Sequence, residues 1–276
     1  MQGALRAGLV ILLVVLLAGC SAFGSGVEDP DREPYGVDEP VDPEPAEPDE
    51  LLPGLTSEGV TDPHGLAASH EKTLSERSFR INQTGRWTRP NGSVAREYRL
   101  NATVDADGST LGHEYVNPLH EDFVIRLDFW RENETYVRAH RMDGSVAYDR
   151  SDTVPGQLFG LGTIRSGLES MENVSVSRAT IEDDTYYVLE STDPDERTYD
   201  TENVSMRMVV HEAGYVRDYR LEYEVEREET LTVVTDLSTA RVGDPDLNVT
   251  VPEWLEDAKE ATRDELDEPS ENETGR

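Results

Sequence analysis

The chain has 276 residues, and 58 acidic side chains against 25 Lys and Arg give it a formal charge of −33. A surface of that sign repels phosphate backbones, which excludes a nucleic acid partner. A single cysteine excludes an internal disulfide framework.

Arg6 heads an apolar run from Ala7 to Leu16, and Leu17-Ala18-Gly19-Cys20 follows. Small residues before a cysteine at the end of a short apolar run are the pattern of a lipoprotein signal peptide cut ahead of Cys20. A spanning helix needs about 20 apolar residues, more than this run holds. Two hydrocarbon chains on Cys20 would make a stable anchor. The expectation is a signal peptide over 1–19 and a lipid-anchored protein on the extracellular face of the cell membrane.

Acid is spread along the whole chain, and Lys72 and Lys259 are the only lysines. In molar salt the screening length falls to about 3 Å and self-repulsion fades. The composition predicts a protein made for brine. Eight of nine asparagines sit in N-x-Ser/Thr sequons: Asn82, Asn91, Asn101, Asn133, Asn173, Asn203, Asn248 and Asn272. With 40 Ser and Thr in the chain, chance gives about one such match, so the excess points to glycosylation outside the cell.

Residues 20–54 read as a tether, with acid-proline pairs at Asp29-Pro30, Glu33-Pro34, Glu39-Pro40, Asp42-Pro43, Glu44-Pro45 and Glu47-Pro48. Proline removes donors and like charges repel, so no core forms there. Residues 257–276 read as an acidic tail, a frayed helix and then disorder. Between them, residues 55–256 fit one domain.

Asp62-Pro63 predicts a helix start, continued by Leu66, Ala67, His70 and Leu74 to about Arg77. Period-two alternation then predicts strands from Phe79 to Trp87, Val94 to Val104 and Leu111 to Val116, with turns at Asn91-Gly92 and Asp107-Gly108. The run Phe123 to Trp130 is apolar on one face and, at Val124 and Trp130, on the other, so it reads as a central strand partly covered on both sides. A hairpin follows around Asp143-Gly144, then a helix from Pro155 to Met171, weakened by Gly160, Gly162 and Gly167. Five more strands are expected: Val174 to Ile181, Thr185 to Ser191, Val204 to His211, Tyr215 to Glu226 and Thr230 to Val242. The fold class is α+β, a single curved and mostly antiparallel sheet packed with a few helices.

The anchor, the acidic tether, Leu55-Thr56-Ser57-Glu58-Gly59-Val60-Thr61-Asp62 before a helix and Ser78-Phe79-Arg80-Ile81, and the closing Val251-Pro252-Glu253-Trp254 resemble a family of haloarchaeal lipoproteins over most of 55–256. The element order is similar to the lipoprotein-carrier half-barrels of the LolA and LppX type, in which a curved sheet wraps helices around an apolar cavity. That resemblance implies a hydrophobic ligand, a lipid or lipidated peptide, with Phe79, Trp87, Tyr98, Phe123, Phe129 and Phe159 as candidate cavity-lining residues.

No catalytic constellation emerges. Ser69-His70-Glu71-Lys72 fits Ser-x-x-Lys, but its companion Lys-Thr-Gly is absent, and a solvated helix face accounts for it. The histidines His64, His70, His113, His120, His140 and His211 never fall at metal-ligand spacing on one element. Asp105-Ala106-Asp107-Gly108 is a hairpin turn before it is a calcium loop, since later acidic offsets are missing. The expectation is a non-enzymatic protein with no cofactor and no metal. Its partners are the membrane, reached through the lipid on Cys20, and a hydrophobic ligand; the alternative is a glycosylated envelope module that works through other cell-surface proteins.

Overall fold

The computed structural model describes residues 49–117, 124–152, 158–194, 201–226 and 228–263. Three short strands, β1 (Glu50–Leu52), β2 (Leu55–Thr56) and β3 (Gly59–Val60), form a small entry sheet. Helix α1 (Pro63–Ser75) starts where the sequence predicts. Pro63 opens it, and the Asp62 carboxylate accepts from the His64 N–H, which satisfies one of the orphan donors of the first turn. Leu66, Ala67, His70 and Leu74 form its buried stripe.

A first meander follows: β4 (Phe79–Thr88), β5 (Val94–Val104), β6 (Thr110–Asn117), β7 (Val124–Arg131), β8 (Thr135–Arg141) and β9 (Val146–Ser151). After α2 (Leu161–Glu169) come β10 (Met171–Glu172), β11 (Ser175–Ile181), β12 (Asp184–Ser191), β13 (Asp193–Pro194), β14 (Thr201–His211), β15 (Val216–Glu226) and β16 (Thr230–Ala240), and then helix α3 (Leu255–Ala261). Strands β10 and β13 pair with each other. The other long strands form one eleven-stranded sheet in the order β11-β12-β14-β15-β16-β4-β5-β6-β7-β8-β9. Every pairing is antiparallel. Strands β16 and β4, running from Thr232↔Thr88 to Ala240↔Arg80, stitch the two meanders together. The sheet ends on β11 and β9 and does not close into a barrel. This is the α+β, single-sheet class that the alternation predicts.

Helices α1 and α2 cover one face of the sheet. Leu66, Leu74, Ile164 and Leu168 pack with Phe79, Ile81, Leu100, Phe129, Met208, Val210 and Leu237 in a continuous core. Each such side chain contributes about 1.5–3 kcal/mol of transfer free energy. Gly112 is part of this packing, because a Cβ there would lie 2.1 Å from the Phe129 ring.

The other face carries a second cluster. Trp130 packs with Trp254, Leu255 and Ala258, flanked by Leu111, Tyr136 and Tyr148. Phe129 and Trp130 are thus both buried on opposite faces of β7, as expected of a strand covered on both sides.

Three boundaries differ from the sequence reading. Residues 257–261, expected as a frayed helix in the tail, belong to α3, which packs on the sheet through Leu255 and Ala258 while its acidic residues face water. Residues 50–52 belong to the entry sheet, with Leu52 buried. The second helix begins at Leu161, because Gly160 adopts a left-handed conformation (φ 63°) that breaks the helical run, and Met171 is already strand. Residues 155–157 lie outside the described set.

Candidate functional site

Helix α2 crosses the inner face of the sheet with one side pressed against β15. Gly167 permits this approach, since a Cβ would lie 2.0 Å from the Tyr219 hydroxyl. Beside the contact lies a groove of about 210 Å³. Val204, Tyr219, Leu221 and Tyr223 of β14 and β15 form its floor, and Thr163, Ser166 and Ser170 form its helix wall. This is smaller than the roughly 300–1,000 Å³ of ordinary small-molecule sites.

The polar groups around the groove are unevenly matched. Ser166 and Ser170 donate their hydroxyls to the Thr163 and Gly167 carbonyls, so toward the groove they retain acceptor lone pairs. Tyr219 is 2% exposed, burial pushes its pKa up, and its hydroxyl has no partner. Gln83 lies on the same cross-strand row, through Leu237 of β16. Its amide donates to Thr163 Oγ1 at 2.6 Å, while its Oε1 is unpartnered. Thr239 Oγ1 is the third buried side-chain atom without a partner among the described residues. All three lie on adjacent strands β4, β16 and β15. Native interiors leave few such atoms, and each needs an explanation.

Two histidine-centred arrangements lie elsewhere. His70 is fully buried on α1, where Nδ1 accepts from the Val216 N–H at 2.9 Å and Nε2–H donates to the Phe159 carbonyl at 2.9 Å. Burial lowers its pKa to about 4, against a smaller upward effect of the bond to Phe159. The neutral ring thereby pins α1, β15 and the approach to α2 together. On the outer face, the Asp128 carboxylate is fully buried. It accepts from His113 Nδ1 (2.6 Å), Arg126 Nε (2.7 Å), Arg138 Nε and Nη2 (2.9 and 2.6 Å) and His140 Nε2 (2.8 Å). Burial alone would raise its pKa, but the hydrogen bonds from the two histidines and two arginines outweigh it and hold the group ionised, far below the usual range. Arg138 also lies over the Trp254 ring at 5.2 Å, which couples this cluster to the seat of α3.

The aromatic residues expected to line a cavity lie apart from the groove. Phe79 and Phe129 are fully buried in the core, and Phe159 packs 5.7 Å from Phe79 between ring centroids. Trp87 is half-buried beneath Arg96, 4.8 Å above the ring, and Tyr98 is half-buried. Aromatics at strand spacing fill the interior here. The groove forms where α2 diverges from the sheet, over Tyr219, Leu221 and Tyr223. Their period-two spacing is visible in the sequence, but the helix placed over them is not. Phe123 and Cys20 lie outside the described residues, as does Asn272. The other seven sequon asparagines, Asn82, Asn91, Asn101, Asn133, Asn173, Asn203 and Asn248, are all exposed. Asn82 and Asn101 face each other across β4 and β5.

On α1 Ser69 is half-buried and Lys72 exposed, and Asp107 caps its turn by accepting from the Ser109 N–H. Among the described residues no group of three or more His, Cys, Asp or Glu is arranged to hold a metal. No described helix is long and apolar enough to cross a membrane.

No family model matches the chain, and no curated protein matches it. Among solved structures, LprF from Mycobacterium bovis is 12% identical over 69% of this chain and 96% of its own, with a TM-score of 0.38. A LolA superfamily protein from Nitrosomonas europaea is 14% identical over 68% of this chain and 96% of its own, at 0.24. A DUF1329 family protein from Desulfovibrio piger is 9% identical over 67% and 93%, at 0.25. At such scores the likeness carries no weight on ligand or activity.

Proposed function

We propose that this chain is a lipoprotein anchored through Cys20 on the outer side of the cell membrane, and that its domain binds a hydrophobic ligand without catalysing a reaction. The groove under α2 carries the reading. Its floor of Val204, Leu221 and two tyrosines is apolar enough to hold a hydrocarbon chain, and its helix wall keeps hydroxyl acceptors for a polar head. The acidic surface suits a high-salt exterior. A second reading, a glycosylated envelope module with protein partners, is favoured by the exposure of all seven described sequon asparagines.

Native mass spectrometry with organic extraction separates the two readings, applied to the Cys20→Ser chain purified in high salt from its own host. The expected result is a stoichiometric hydrophobic molecule and loss of the protein from the membrane fraction. An empty protein carrying glycans at several sequons would refute ligand binding and favour the envelope module.

A further inference from the structure

The seven described sequons all expose their asparagine, but transfer of a sugar asks more of them. The side-chain nitrogen must be free to attack, and the hydroxyl two residues on must be open to the same enzyme, as in a surface loop. Six fall short on the folded domain. Asn82 and Asn101 lie opposite each other in paired strands, and their middle residues Gln83 and Ala102 are buried on the inner face. The Asn133 sequon ends in Thr135, which is 2% exposed. Asn173 and Asn203 donate their amide nitrogens to Asp193 and Glu224. Val249, in the middle of the Asn248 sequon, packs against the cluster of Trp130 and Trp254.

Asn91-Gly92-Ser93 meets every condition. It forms the tip of the turn between β4 and β5, closed by the Arg89 N–H on the Ser93 carbonyl and the Gly92 N–H on the Arg89 carbonyl, both at 2.9 Å. All three residues are exposed, and a Cβ on Gly92 would meet nothing within 4 Å. Asn91 Oδ1 accepts from the Ser93 N–H at 2.9 Å, which orients the amide while its nitrogen bonds no described group. The Ser93 hydroxyl only accepts, from Arg89 at 3.4 Å, so its proton is unspent.

We propose that Asn91 is the principal glycosylation site of the folded domain. The donor is a sugar carried on a lipid phosphate. Asn91 Nδ2 forms a bond to the anomeric carbon, the bond from that carbon to the phosphate oxygen breaks, the phosphate leaves with the electron pair, and one amide proton passes to the transferase. This rests on the glycosylated-surface reading above and narrows it to one site.

The test is peptide mapping by mass spectrometry of the full chain from its own host, beside Asn91→Gln and Ser93→Ala. Using any of the other six sequons requires breaking a bond or a contact, which lowers the reactive fraction about tenfold. Occupancy at Asn91 should exceed theirs by about that factor. Both variants should lose this glycan and fold as the parent does by circular dichroism, because the backbone bonds of the turn remain. Similar occupancy across the seven, sugar elsewhere with Asn91 bare, or a glycan that survives Ser93→Ala overturns the assignment of Asn91 while a glycosylated surface stands. No sugar at any sequon overturns both.

Discussion

Lowering the pH should destabilise this domain through one residue, His70. Its folded pKa is about 4 against an ordinary 6.5, a gap worth about 3 kcal/mol. The folded ring binds a proton less readily than the unfolded one. The stability its neutral form contributes is therefore intact above about pH 6.5, falls as pH drops toward 4, and levels off below that. Structurally, a proton on Nδ1 would abolish the acceptor that takes the Val216 N–H, at a ring that is fully buried. The assay is urea unfolding in molar KCl at pH 7.5, 6, 5 and 4, for the parent and for His70→Gln, whose difference cancels the titration of the many carboxylates. At pH 7.5 the variant should be weaker, because two backbone groups lose their partner. By pH 4 that difference should shrink by about 3 kcal/mol. Parallel curves, or a His70 ring that titrates near 6.5 by NMR in the parent chain, would refute the reasoning.

Asp128→Ala removes the common acceptor of two arginines and two histidines, and should cost about 3 kcal/mol in denaturant unfolding. The figure sits at the low end of the range for buried pairs because Arg126 and His113 are nearly half-exposed and screened by water and salt. Asp128→Asn should lose less, since an amide oxygen still accepts. Gly112→Ala should lower stability by about 1–3 kcal/mol, read as a drop in melting temperature, because the new methyl meets the Phe129 ring head-on.

Local features were the readable ones. Alternation along Phe79 to Trp87 and Val94 to Val104, the Asp-Gly and Asn-Gly turns and the Asp62-Pro63 helix start each depend on a few adjacent residues, and each appears where the pattern places it. Features assembled from distant segments were not readable. The Asp128 cluster needs β6, β7 and β8 in one register, His113↔Asp128↔Arg138, and no single segment shows it. Helix α3 was legible as a helix at the head of the acidic tail, but its docking was not, since a stripe of only Trp254, Leu255 and Ala258 seats it. The groove depends on how close α2 comes to β15. Gly167, which sets that distance, read in the sequence as a weakness of the helix.

The pairing of β16 with β4 also fixes an order of events. Each meander can fold with neighbours that are close along the chain, but the seam at the centre joins residues roughly 150 positions apart, a long loop to close. When the chain emerges from its amino end, the free edge of β4 must wait, bare, until the last long strand arrives. An unpaired edge of that length invites pairing with another molecule. In molar salt, where charge is screened beyond about 3 Å, the dense negative charge does little to hold separate chains apart, so the interval before the seam forms is the one most exposed to aggregation.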